Sequence, residues 1–162
     1  MRRLGSLAAR RARKAALLGR RRRSGVPATV RRRPCASCPY RVNVEPGIWA
    51  AEEYEKLPAY DRETPFQPAA VFMCHQQDGC VCAGWAGRPS SGDLLALRLG
   101  VMGGTVDASA FEYETDVPLF ATGAEAATHG LSGVEAPSER AVQVGRKIVA
   151  ARATRAGRVR RG

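Results

Sequence analysis

Apolar positions come in short groups separated by turn residues, with no long periodic run. Ala50, Tyr54 and Leu57 share one face of a helix predicted over 47–57, entered through Pro46-Gly47, supported by Glu52 and Lys56 at i,i+4, and stopped by Pro58. Pro58, Pro65 and Pro68 mark 58–68 as a loop. The run Ala69-Ala70-Val71-Phe72-Met73 predicts a buried strand leading into Cys74. Asp78-Gly79 is a hairpin turn signal, and a second short strand follows over Cys80–Ala83. A helix over 93–99 starts near Ser90 or Ser91 and ends at Gly100 or Gly103. Residues 105–120 suggest one strand around Phe111–Tyr113. Thr122-Gly-Ala-Glu125 fits a capping box, with a helix end at His129-Gly130. Ser138 caps a last helix carrying Ala141, Val144, Ile148 and Ala151 on one face and Arg140, Arg146, Lys147, Arg152 and Arg155 on the other. These elements describe an α+β fold: a small metal-stabilised domain with a short hairpin and several short helices, flanked by basic extensions.

Charge divides the 162 residues into three. Residues 1–44 carry 14 Arg/Lys and no acid, residues 45–139 carry four against all 15 acids, and residues 140–162 carry eight and no acid. Residues 2–20 are helix-permissive, but arginines fall on every face and no apolar stripe forms. The reading is a disordered basic arm over 1–33, a Cys-rich metal-binding domain over 34–118 and a helical basic extension over 119–162. Basic ends around an acidic middle suit a polyanion, so nucleic acid held through the Arg-rich ends is one expected partner and a protein is another. No run of 18 apolar residues exists, so no membrane span is expected. Leu4, Leu7, Leu17 and Leu18 are interrupted by arginine and lysine, unlike a secretory signal, which points to the cytoplasm.

All five cysteines lie between Arg33 and Trp85. In a reducing compartment such a cluster reads as metal ligands in preference to disulfides. Cys35 and Cys38 place two thiolates on one side of a metal, and a second pair must come from Cys74, His75, Cys80 and Cys82. Soft thiolates favour zinc, with an iron–sulfur cluster as the alternative, since Pro39 directly after Cys38 is a ferredoxin-like feature. With Asp78-Gly79 as a two-residue loop, His75 faces Cys82, and pleating puts His75, Cys80 and Cys82 on one face with Cys74 on the other. A bulge or a wider loop would instead bring Cys74 and Cys82 together.

The run Cys-x-x-Cys-Pro-Tyr-Arg, then Gly-x-Trp, Phe-x-Cys-His and Cys-Ala-Gly resembles a family of small actinobacterial and actinophage Cys-rich proteins of unknown function, over roughly residues 34–100. The resemblance implies Cys35, Cys38, Cys74, His75 and Cys82 as the matched positions. It favours Cys35, Cys38, Cys74 and Cys82 as the ligand set, with His75 and Cys80 as alternates, and it implies no activity.

Nothing in the chain reads as a catalytic constellation. A redox role for Cys35-x-x-Cys38 lacks a βαβ context, and Cys74 beside His75 on a strand would point to the opposite face. Trp49 and Trp85 are expected to pack as a dry shell around the site, with base stacking the sharper reading of either. His129 is expected to act as a favourable charge at a helix end. The expected function is a non-enzymatic, metal-stabilised binding module, with an iron–sulfur redox or sensor protein as the alternative.

Overall fold

The computed structural model describes residues 25–159. It contains two short strands, β1 (Thr29–Val30) and β2 (Cys80–Val81), and five helices: α1 (Ala51–Glu55), α2 (Ala83–Ala86), α3 (Leu95–Met102), α4 (Gly123–Leu131) and α5 (Glu139–Val159). Four 3₁₀ turns, Leu57–Asp61, Thr64–Phe66, Ser91–Asp93 and Ala108–Glu112, fill the connections. The mixture of helix and strand in a small domain agrees with the sequence reading.

The sheet differs from the expected hairpin. β1 and β2 pair in parallel, Thr29 opposite Cys80 and Val30 opposite Val81. Residues 1–24 of the expected basic arm lie outside the described residues. Its remainder, 25–33, supplies an ordered strand: Arg31 N donates to Val81 O, and Ala28 bridges to Val106. The arginines 31–33 mask a short alternation in which Ala28 and Val30 are half-buried while Thr29 faces out. The antiparallel partner of β2 is reduced to one bridge, Met73 with Val81. The predicted buried strand over 69–73 does not form. Ala69, Ala70 and Met73 are exposed, and Tyr60 donates to the Ala70 carbonyl at 2.9 Å, a bond to a side chain where a strand would use a neighbour's backbone.

The core is aromatic at its centre. Tyr40, Tyr54, Leu57, Trp85, Leu94 and Leu97 are almost fully buried. Phe72 meets the edges of Tyr40 and Tyr60 and stacks on Trp85 at 6.4 Å. Burying each large side chain contributes about 1.5–3 kcal/mol, so this group supplies much of the domain's stability. Tyr54 of α1 packs on α4 so closely that a Cβ on Gly130 would enter its ring. Ala126 and Ala127 of α4 belong to the same core as Cys35 and Trp85, so no packing break falls at residue 118. α5 forms a satellite core through Ala141 and Ile148 against Val44 and Ile48, while Ala151 is exposed.

Local signals mostly survive. The helix predicted over 47–57 shortens to α1 followed by a 3₁₀ turn, and Lys56 pairs with Glu53 at 3.1 Å instead of Glu52. The helix predicted over 93–99 appears as α3, shifted by a 3₁₀ turn at Ser91–Asp93 and closed at Gly103. Thr122 and Glu125 form the full capping box of α4. Ser138 Oγ accepts from Ala141 N at 3.1 Å at the start of α5. The strand expected near Phe111 is a 3₁₀ turn, started by Asp107, whose carboxylate accepts from Ser109 N at 2.9 Å. That local side-chain bond draws the backbone away from an extended course.

Candidate metal centre

Cys35 and Cys38 sit on a tight turn. Cys38 N donates to Cys35 O at 3.0 Å and Arg41 N to Cys38 O at 3.1 Å, with Pro34 and Pro39 stiffening both flanks. Cys74 ends the irregular 69–73 run, and Cys82 is the residue before α2. Cys74 N donates to Cys80 O and Cys82 N to Phe72 O, each at 2.8 Å. This register sets 74 opposite 80 and 72 opposite 82, so Cys74 and Cys82 share a face.

The register corrects the two-residue hairpin. The connection spans residues 75–79, with Gly79 at φ 72°, so Asp78-Gly79 is the end of a longer loop and His75 lies in that loop, not opposite Cys82. The open alternative, a wider loop bringing Cys74 and Cys82 to one side, is the arrangement present.

Cys35, Cys38, Cys74 and Cys82 are buried together and all are free thiols. Cys38 Sγ and Cys82 Sγ are 3.6 Å apart. The thiols of Cys38 and Cys74 act on the titration of Cys35. Protons are unevenly shared among the four. The thiols of Cys38 and Cys74, with a weaker contribution from His75, hold Cys35 far below the usual thiol range against the opposing effect of burial. Cys82 is lowered by Cys38 and by backbone N–H groups. Cys38 is raised by its contacts with Cys35 and Cys82 and by burial, and Cys74 by Cys35 and burial.

Backbone N–H groups act as lesser influences on two of these sulfurs: those of Gln76 and Gln77 oppose the rise at Cys74, and those of Trp85 and Gly84 add to the lowering at Cys82. The Cys82 side chain makes no capping hydrogen bond to α2.

His75 occupies the edge of this centre. Its Nε2 lies 2.8 Å from Ser37 Oγ and 3.5 Å from Cys35 Sγ, and its ring meets Trp49 edge-on at 4.4 Å. Gln76 Nε2 also donates to Ser37 Oγ, at 3.1 Å, and Trp49 Nε1 donates to Ser37 O at 2.9 Å. Ser37 had no marked role in the sequence reading, yet it organises this flank. Trp85 is fully buried against Tyr60 and Phe72. Cys80 is buried, and its sulfur makes no hydrogen bond among the described residues. His129 Nε2 donates to Val44 O at 2.7 Å, a tertiary link beyond a helix-end charge. The sequence reading also missed a buried ion pair between Arg88 and Asp61. Asp61 caps α4 by accepting from Gly123 N at 2.9 Å and Ala124 N at 2.8 Å, while Arg88 Nη2 donates to Tyr60 O at 3.0 Å and its guanidinium lies over the Tyr40 ring. Partners 27 and 62 residues apart leave no local signal.

Among the described residues, no three or more Cys, His, Asp or Glu side chains surround a common point as a closed cage for an ion. Two of the sulfurs, those of Cys38 and Cys82, meet. The donor set still fits a soft metal: four buried thiols, two of them already biased toward thiolate, and a Cys38–Cys82 separation close to the edge of about 3.8 Å that metal–sulfur bonds of about 2.3 Å imply for a tetrahedron. Among the described residues, no helix is long and apolar enough to cross a membrane.

No curated protein and no solved structure matches this chain. A family model matches residues 30–152, from the last residue of β1 through the cysteine centre and the aromatic core to most of α5. The chain therefore belongs to a family of unknown function (DUF6283).

Proposed function

We propose that Cys35, Cys38, Cys74 and Cys82 hold one metal ion, zinc, and that the metal fixes a binding module. The observation that carries this reading is the burial of all four thiols, with the Cys38 and Cys82 sulfurs 3.6 Å apart. The metal would supply charge neutralisation for the thiolates and a cross-link between three chain segments. In a small domain such binding is folding free energy. His75 and Ser37 would orient Cys35 from outside the ligand set, and Cys80 would pack as a small hydrophobe.

An iron–sulfur cluster is the second reading, favoured by Pro39 directly after Cys38. Free thiols throughout suit a reducing compartment such as the cytoplasm, and the likeness to small actinobacterial and phage proteins suits such a setting. The partner of the module would be nucleic acid, met by the basic ends, or a protein. Anaerobic purification followed by elemental analysis tests the metal reading. One zinc per chain in a colourless protein supports it. A brown protein containing iron and sulfide replaces it with the second reading, and a folded protein with no metal removes both.

A further inference from the structure

A cleft of about 470 Å³ separates α5 from the Cys35–Cys38 turn, outside the sulfur cluster. Arg140 and Lys147 line its helical wall. They are seven residues apart, so they lie on one side of α5 about 10 Å apart. Both are exposed, and neither forms a salt bridge among the described residues. The facing wall is Ala36, His75 and Gln76, the last two tied to the Ser37 hydroxyl. One carboxylate, Glu45, lines the cleft and accepts from the Ser138 hydroxyl at 2.7 Å. Two cations against one acid already hydrogen-bonded leave the cleft positive. Its volume lies in the range of small-ligand sites.

We infer that this cleft binds a phosphate-bearing anion. An arginine fork and a lysine ammonium on one wall can hold separate phosphate oxygens, and the imidazole and amide opposite can contribute further polar contacts. The spacing of the two cations exceeds what one phosphate spans and suits a diphosphate or two successive phosphates of a nucleic-acid strand. The inference stands apart from the metal reading, because both walls are formed by protein groups alone.

The test is calorimetric titration of the full-length protein as purified with inorganic pyrophosphate, followed by competition with a short single-stranded oligonucleotide. The wild-type protein should bind pyrophosphate saturably, one per chain. Arg140→Ala combined with Lys147→Ala should weaken binding at least tenfold. Ala36→Trp, which fills the cleft without changing charge, should do the same, and Ala151→Trp fills it from the other wall should the first variant fold poorly. Arg98→Ala, in a different part of the domain, should have no effect. Displacement of the oligonucleotide by pyrophosphate would identify the strand's phosphates as the natural source. Saturable pyrophosphate binding without displacement would identify a free phosphate compound. Absence of saturable pyrophosphate binding, or full affinity in both tryptophan variants, would overturn the inference.

Discussion

Gly84 lies directly against Cys38: a Cβ placed on residue 84 would run into the Cys38 sulfur and crowd the Cys38–Cys82 contact. The first turn of α2 therefore presses its bare backbone onto the centre. Gly84→Ala should destabilise the protein by about 1–3 kcal/mol, as overpacking does, and lower the metal content of the purified protein. Thermal unfolding with elemental analysis checks both. Unchanged metal content and melting temperature would mean that the turn has room to spare.

The five cysteines should not be equivalent. Cys38→Ser should abolish metal binding and cooperative unfolding, because the fully buried Cys38 sulfur lies 3.6 Å from that of Cys82 and a lost ligand is lost folding free energy. Cys80→Ser should keep the metal and lose only packing. Equal metal loss in the two variants, measured on protein purified side by side, would make Cys80 a ligand.

Metal binding should depend on pH. Cys35 and Cys82 are lowered in the folded state and are poised as thiolates, whereas Cys38 and Cys74 are raised and hold their protons. Loading the metal should therefore release about two protons, those of Cys38 and Cys74, and tighten as pH rises. Competition for zinc with a chromogenic chelator from about pH 6 to about pH 9 checks this; an affinity that does not change with pH would contradict the assigned proton positions.

Asp61→Ala should cost about 3–5 kcal/mol, since it strands the buried Arg88 charge and uncaps α4. Adding Arg88→Met should recover part of that loss. A double-mutant cycle in denaturant measures the coupling, and additive losses would show that Arg88 is already solvated.

What was legible in the chain was local. Cys-x-x-Cys between two prolines specifies a turn with both sulfurs available, and Thr122 with Glu125 specifies a helix start; both are settled within a few residues. Register was not legible. Asp78-Gly79 names a turn but not how many residues precede it in the loop, and a three-residue change in that length decides whether His75 or Cys74 accompanies Cys82. β1 was hidden because Arg31, Arg32 and Arg33 set the local charge, while its two paired residues are too few for a periodic signal. The role of Ser37 depends on His75, Gln76 and Trp49 arriving from elsewhere, and no spacing encodes that.

The most direct test of the central claim is X-ray absorption at the metal edge of protein purified anaerobically. Four sulfur neighbours at about 2.3 Å around a single zinc are expected. A shell containing a nitrogen neighbour would place His75 in the site in place of a cysteine, and a protein that folds with no bound metal would contradict the account.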